Sequence, residues 1–94
     1  MQIHSLELNI KYCDDVLSGI KTFEVRKNDR DFQVGDLIKF IPIKSSSLPC
    51  FKYDLCKHEI LDTCYVITYI LSDYGLKDGY VVLAIKEDKP DIEF

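Results

Sequence analysis

Three charged side chains, Lys21, Glu24 and Arg26, fall within six residues of the sequence. Between them, Phe23 and Val25 alternate with polar residues, which is the period-two pattern of a β-strand with one face in a core. A carboxylate beside two cations stays ionised and holds both cations in place. We therefore expect Lys21, Glu24 and Arg26 to lie on the open side of this strand, as a site for an anionic or hydrogen-bonding ligand of nucleotide size.

The same side chains allow two kinds of chemistry. In a binding site, Lys21 and Arg26 would hold a phosphate or a base edge, and Glu24 would accept a hydrogen bond from an exocyclic amine or a ribose hydroxyl. Tyr80 or Tyr12 would supply a ring on which a base stacks. In an enzyme, Glu24 or a desolvated Lys21 would act as general base, with Arg26 stabilising the oxyanion. A third interpretation is structural, in which these charges form a salt-bridge network at the mouth of a barrel.

Composition and charge limit the class of protein. The 94 residues, 47% of them hydrophobic, suffice for one domain with one core. The net charge of −4 argues against a broad basic surface for long nucleic acids. Residues 21–30 nevertheless carry a local charge of +2, from Lys21, Arg26, Lys27 and Arg30 against Glu24 and Asp29. This asymmetry favours a focused anion site over a duplex-binding face, with a solvated charged loop as the alternative.

The sequence also carries expectations about location and cysteine chemistry. No apolar run approaches the roughly 18 residues of a membrane helix, and the N-terminal residues lack the basic and apolar regions of a signal peptide. We therefore expect a cytoplasmic protein without a membrane partner, whose four cysteines are reduced thiols.

Four possible zinc ligands lie within fifteen residues, at Cys50, Cys56, His58 and Cys64. The close cysteine pairs typical of structural zinc sites are missing, so we predict no metal and no other cofactor. Cys13 is expected to be a small core residue. His4 lies on the first predicted strand and either borders the ligand site or packs into the core.

The pattern of apolar residues predicts a mainly β domain with one or two short helices. A strand at 3–8 with Leu6 and Leu8 inward leads to a helix of about two turns that Gly19 ends. Strands follow at 22–26 and 37–42, and Pro42 is expected to stop the second of these or place it at an edge.

The second half of the chain predicts two longer strands. The strand at 60–71 should bend or contain a bulge, and its inward face would hold Leu61, Tyr65, Ile67, Tyr69 and Leu71. The strand at 80–85 is continuously apolar, as expected of a strand buried on both faces. Residues 43–59 are expected to be a loop insertion, in which Phe51 and Tyr53 form a short hairpin arm or exposed aromatics, and residues 87–94 a loose tail.

Five or six strands with one early helix predict a small, partly closed barrel. The chain also resembles the ASCH domain of the PUA-like superfamily, on the motifs Gly19-x-Lys21-x-x-Glu24-x-Arg26, then Val34-Gly35-Asp36 before a strand, and a last strand from Gly79-Tyr80. The segments 4–6, 17–19, 23–32 and 75–80 resemble, more narrowly, a small ASCH-like family of bacteria and phages without a settled function. The resemblance covers nearly the whole chain.

The resemblance implies that residues 1–94 form a single PUA-like β-barrel that binds RNA or a small nucleotide or nucleoside. It places Lys21, Glu24 and Arg26 in the ligand cleft, and Tyr80 and His4 are further candidate ligand-binding residues. It also implies an alternative, because a similar small bacterial ASCH enzyme removes the acetyl group from acetylated cytidine with a lysine that matches Lys21. Glu24 occupies the position of that enzyme's catalytic threonine, and a carboxylate cannot replace a nucleophilic hydroxyl without a change of mechanism. Lys21 and Glu24 are the catalytic candidates only if the chain is an enzyme. A third alternative is a phage or bacterial protein-interaction module that uses the aromatic residues at 51–53.

Overall fold

A computed structural model of the protein describes residues 1–46 and 53–89, and most of its regular structure is β-strand. The helices are α1 (Ile10–Leu17) and one short 3-10 helix (Glu59–Asp62). The strands are β1 (Ile3–Asn9), β2 (Phe23–Lys27), β3 (Leu37–Ser45), β4 (Tyr53–Leu55), β5 (Tyr65–Leu71) and β6 (Tyr80–Glu87). The expectation of a mainly β protein with one or two short helices is confirmed.

All six strands belong to one sheet, in the order β1-β3-β5-β6-β2, with β4 paired to the far end of β3. The β1–β3 pair is parallel and the other pairs are antiparallel. Over the ranges that the structure describes, β1 and β2 do not pair with each other, so the sheet is not closed into the expected barrel. The gap between these two edge strands is called the seam below.

Along the seam, arginine side chains donate to the backbone carbonyls of β1 that a neighbouring strand would otherwise bond. Leu37 N donates to Gln2 O, so the even-numbered residues of β1 direct their backbone groups toward β3 and the odd-numbered ones toward the seam. There Arg30 Nη1 donates to Ser5 O and Arg26 Nη2 donates to Glu7 O, both at 2.6 Å. Because these carbonyls already accept from guanidinium groups, they do not need an N–H from β2.

Local sequence signals account well for β1 and α1. The inward residues of β1 include Leu6 and Leu8, as predicted. The side chain of Asn9 accepts a hydrogen bond from Lys11 N and so caps the start of the helix. Gly19 follows the helix with φ = 83°, a conformation that glycine adopts without steric strain, and its N–H bonds to Val16 O.

β3 runs past Pro42 to Ser45, so the prediction that the proline ends this strand is wrong. The missing N–H of Pro42 lies on the side of β3 away from β1, between the residues that pair with β5 and those that pair with β4. The Pro42 carbonyl still accepts a hydrogen bond from Cys56 N at 2.9 Å. The strand therefore lacks one backbone N–H donor at the position where its neighbour on that side changes from β5 to β4.

The segment expected to be a loop insertion is partly strand. Residues 43–45 belong to β3 and residues 53–55 to β4, where Tyr53 is partly exposed. Phe51 lies outside the described residues, and so do Cys50 and the end of the expected tail, residues 90–94.

The predicted bulge in the long strand is confirmed, although the strand begins at Tyr65 rather than at residue 60. The β5–β6 register shifts between Ile67 and Tyr69. Because a bulge adds one residue, the inward face changes phase there: Tyr65 and Ile67 are buried, whereas Tyr69 is exposed and Ile70 packs against the core. The expectation that Tyr69 lies inward is therefore wrong.

The core is one cluster, formed by the inner faces of the strands with Cys13 and Val16 of α1. β6 contributes Val81, Leu83 and Ile85, while its other face is only partly buried. The prediction that β6 is buried on both faces is wrong because the core cluster takes only alternate residues of the strand. Cys13 packs in this core as expected, and burial is the main reason that its thiol pKa is raised to about 11.

Candidate functional site

The inward and outward faces of β2 are reversed relative to the prediction. Glu24 is only 4% exposed, whereas Phe23 and Val25 are 47% and 53% exposed. The alternation is real, but the charged residue points inward and the apolar residues point outward. Burial of a carboxylate is tolerated only where partners offset its lost hydration, and the two cations beside Glu24 supply them.

Glu24 is the centre of a small ion-pair network. Its Oε1 accepts from Lys21 Nζ, and its Oε2 accepts from Arg26 Nε at 3.1 Å and lies 3.0 Å from Arg26 Nη2. Lys21 Nζ also donates to Phe23 O at 2.6 Å, on the free edge of β2. Because Arg26 reaches Glu7 O as well, the network ties β2 to β1 across the seam.

The seam opens into a cleft of about 530 Å³, which lies between β1, the start of α1 and β2. Two partly exposed aromatic rings flank the Lys21 ammonium, whose nitrogen lies 5.5 Å from the centre of the Tyr12 ring and 5.0 Å from that of Phe23. The cleft is lined by Glu7, Leu8, Asn9, Tyr12, Lys21, Phe23, Glu24, Val25 and Arg26.

The charges that line the cleft are balanced. Lys21 and Arg26 are cations, and Glu7 and Glu24 are acidic. Tyr53 donates to Glu7 Oε1 at 2.7 Å, and this hydrogen bond raises the pKa of the Tyr53 hydroxyl. Lys27 and Arg30, which contributed to the local positive charge of residues 21–30, are not in the lining. The cleft therefore offers fixed charges of both signs rather than the focused positive site expected from the sequence.

The structure brings together three of the five candidate ligand-binding residues. Lys21, Glu24 and Arg26 meet in the cleft, whereas His4 and Tyr80 do not reach it. Tyr80 begins β6 beside Lys27, and its ring lies 5.9 Å from Lys77 Nζ.

His4 belongs instead to a buried polar cluster at the start of β1. Its Nε2 donates to Asp36 Oδ2 at 2.8 Å, and its ring packs against the edge of Phe32. Asp36 also accepts from the backbone N–H groups of Gln2 and Gln33, each at 3.1 Å. The hydrogen bond from His4, above all, lowers the pKa of Asp36 against the opposing effect of burial. This cluster joins β1 to the turn before β3.

Sequence reasoning missed the parts that Phe23 and Glu7 play in the cleft. Phe23 was assigned to the core because an alternating strand has two phases and the hydrophobic one is normally inward. Glu7 lines the cleft, and its backbone carbonyl accepts a hydrogen bond from Arg26. The two residues are 19 positions apart in the sequence, so no local pattern predicts this contact.

Of the described candidate zinc ligands, His58 has other partners for both of its ring nitrogens. His58 Nδ1 accepts from Ile60 N at 3.0 Å, and His58 Nε2 lies 2.7 Å from Asp14 Oδ1. Cys56 and Cys64 are free thiols. In residues 1–46 and 53–89 no three His, Cys, Asp or Glu side chains are grouped so as to hold a metal ion. None of the described helices is both long enough and apolar enough to span a membrane.

Comparison with known proteins identifies a matching protein family. Residues 3–85 match the family described as a domain of unknown function, DUF3850. Among curated proteins, the chain is similar to an uncharacterised 12.9 kDa protein in the GpA 3' region of Escherichia phage P2, with 46% identity over 37 residues. The matched part is 39% of this chain and 34% of the phage protein, so the chain aligns with about a third of its relative. Because the family match extends over almost all of the described residues, the chain belongs to the DUF3850 family.

Proposed function

We propose that the cleft binds a nucleobase, either of single-stranded RNA or of a free nucleoside or nucleotide, as the resemblance to ASCH and PUA-like domains implies. The observation that carries the proposal is that the cleft lining combines two partly exposed rings, Tyr12 and Phe23, with the ion-paired Lys21, Glu24 and Arg26. A flat, polar-edged ligand suits such a cleft because it needs a stacking face and paired donors and acceptors.

Size and preorganisation support this ligand class. Sites for small molecules usually have volumes of about 300–1,000 Å³, and the cleft measures about 530 Å³. The Lys21, Glu24 and Arg26 side chains already hold one another, so a ligand would not need to order them. Charge balance in the lining favours a neutral base over a bare anion.

Arg26 supplies a donor for a base edge or a ribose hydroxyl. Its Nε and Nη2 are occupied by Glu24 and Glu7, whereas its Nη1 has no hydrogen-bond partner within residues 1–46 and 53–89. A guanidinium held on one side in this way presents its remaining N–H groups in a fixed direction, which is how arginine reads bases.

The amidohydrolase alternative fits the geometry less well. Both oxygens of Glu24 already accept hydrogen bonds from cations, so a general-base role would require the carboxylate to share these contacts with a water. Lys21 Nζ is likewise occupied by Glu24 and by the Phe23 carbonyl. Binding without chemistry is therefore the function that this arrangement favours.

Calorimetric titration with cytidine, uridine, adenosine, guanosine and short single-stranded RNA tests the proposal. Phe23→Ala should weaken binding about 5- to 150-fold, because a stacked base is worth about 1–3 kcal/mol. Tyr74→Ala is the matched control, because Tyr74 is 88% exposed and lies outside the cleft lining. Equal affinities of Phe23→Ala and the parent protein would contradict the proposal. Adding acetylcytidine to the panel tests the alternative, since acetate release would support the amidohydrolase.

A further inference from the structure

We infer that a second cavity, next to the cleft, binds the phosphate group attached to the base-bearing nucleotide. This cavity of about 350 Å³ lies between the C-terminal end of α1 and the end of β6. It is lined by Val16, Leu17, Ser18, Gly19, Lys21, Thr22, Tyr65, Ile85, Lys86, Glu87 and Lys89. The inference rests on the proposed function, because it assigns a subsite for the same ligand.

The charge of this second cavity is of the sign that a phosphate requires. Three lysines line it, at Lys21, Lys86 and Lys89, against one carboxylate, Glu87, so their formal sum is +2. The protein as a whole carries −4. Glu87 Oε2 lies 3.4 Å from Lys89 Nζ, which leaves Lys86 without an ion-pair partner in the described part of the chain. Local cationic charge on an acidic protein concentrates anionic ligands at that point.

Two of these lysines follow the end of the β2–β6 pairing. Ile85 N donates to Thr22 O, next to the ladder pair of Phe23 with Ala84, so Lys21 and Lys86 are the next residues along the two segments. Like charges close to each other are unfavourable unless an anion lies between them. Glu24 neutralises Lys21 from the cleft side, whereas a ligand phosphate would neutralise Lys86.

Tyr65 adds a hydrogen-bonding group without a partner. Its side chain contributes to the wall of the cavity, and its hydroxyl is buried with no hydrogen-bond partner in residues 1–46 and 53–89. Such unsatisfied hydroxyls are uncommon, because most buried polar side-chain atoms are hydrogen bonded. Because the hydroxyl is buried, a phosphate oxygen held by the lysines would become its acceptor only if the cavity wall moved to expose it.

Lys21 lines both cavities, so they lie on different parts of the same residue. A nucleotide whose base stacks on the exposed side of the Tyr12 or Phe23 ring could extend past Lys21 toward Lys86. Its phosphate could be that of a free mononucleotide or a phosphodiester of RNA, which share the same chemistry.

The test compares affinities for cytidine, cytidine 5'-monophosphate, cytidine 3'-monophosphate, the dinucleotide CpC and inorganic phosphate. At least one of the phosphorylated probes should bind roughly tenfold more tightly than cytidine, as a charge-assisted hydrogen bond provides. Tighter binding of CpC than of either monophosphate indicates RNA as the source, and the reverse indicates a free nucleotide. Lys86→Gln and Tyr65→Phe should each reduce the ratio of nucleotide to cytidine affinity. Lys39→Gln, which removes an exposed lysine of β3 outside both cavities, should leave it unchanged.

The outcomes separate this inference from the proposed function. If cytidine binds and none of the phosphorylated probes binds more tightly, the phosphate subsite is wrong and the base site stands. If an affinity gain from the phosphate persists in both Lys86→Gln and Tyr65→Phe, the phosphate lies elsewhere and the inference is overturned. If cytidine does not bind but inorganic phosphate does, and Lys86→Gln abolishes that binding, the base site fails while the phosphate subsite is supported.

Discussion

At the scale of single residues, Glu24 determines what the cleft can do. Its buried carboxylate fixes Lys21 and Arg26, and through Arg26 it holds the free edge of β1. A neutral residue at this position would leave two cations close together without their shared partner. The same network therefore holds β1 to β2 and lines the cleft proposed as the ligand site, so the two roles must be separated by measurement.

Glu24→Gln should destabilise the protein by about 2–3 kcal/mol, somewhat below the 3–5 kcal/mol typical of a broken buried ion pair. The cost is reduced because the side chains of Lys21 and Arg26 are 19% and 23% exposed, so water can hydrate them in part. Urea unfolding measures this difference, with Glu59→Gln, an exposed acidic residue of the 3-10 helix, as the charge-matched control. A loss below about 0.5 kcal/mol, the usual range for surface substitutions, would show that the network adds little to stability.

At the scale of elements, the cluster of His4 and Asp36 holds β1 against the turn that precedes β3. Asp36 accepts three hydrogen bonds there, from the His4 ring and from the N–H groups of Gln2 and Gln33. Because the ionised carboxylate is the form that accepts them, the pKa of Asp36 lies below its ordinary value of 3.8.

This lowered pKa predicts a specific acid sensitivity. Above the unfolded-state pKa of about 4, Asp36 is ionised in both states and its stabilising contribution is complete. As the pH falls from there through the folded-state pKa, the unfolded state binds the proton first and the contribution is lost. Urea midpoints measured from pH 6 to pH 2 should therefore fall more steeply for the parent protein than for Asp36→Asn, which is less stable at neutral pH. Parallel pH profiles would contradict this role of Asp36.

How far the sequence predicts these elements depends on the range of the interactions that decide them. The inward leucines of β1, the end of α1 at Gly19 and the bulge in β5 follow from local patterns. The phase of β2 does not, because both phases of an alternating strand are possible until Glu24 acquires its partners. The open seam also escapes prediction, since it depends on contacts between Arg26 and β1 that are distant in sequence.

The same distinction applies to the site. The spacing of Lys21, Glu24 and Arg26 was sufficient to predict that these charges interact, and the structure brings them together. The sequence does not assign Phe23 to the cleft, because that requires knowing which face of β2 points outward. It does not assign Glu7 to the cleft either, because that requires knowing that β1 lies next to β2. His4 and Tyr80 lie outside the cleft although β1 lines it and β6 pairs with β2. His4 contacts Asp36 and Phe32 near the start of β1, and Tyr80 pairs with Lys27 at the end of β2, placements that residue types alone do not report.

At the scale of the whole molecule, the candidate site lies where the sheet fails to close. The free edges of β1 and β2 meet across side chains rather than backbone hydrogen bonds, and this leaves room for a ligand. The cleft itself is balanced in charge within an acidic protein. Binding of an uncharged nucleoside should therefore depend little on salt, whereas a phosphate at the second cavity should add a salt-dependent contribution.

The most direct test of the central claim is an amide NMR titration of the protein with cytidine, the other nucleosides and a short single-stranded RNA. If the cleft is a base-binding site, shifts should concentrate at Tyr12, Lys21, Phe23, Glu24 and Arg26, and His4 and Tyr80 should move little. If no ligand in this panel shifts the cleft amides, or if the shifts concentrate at residues outside the cleft, the base-binding account is contradicted.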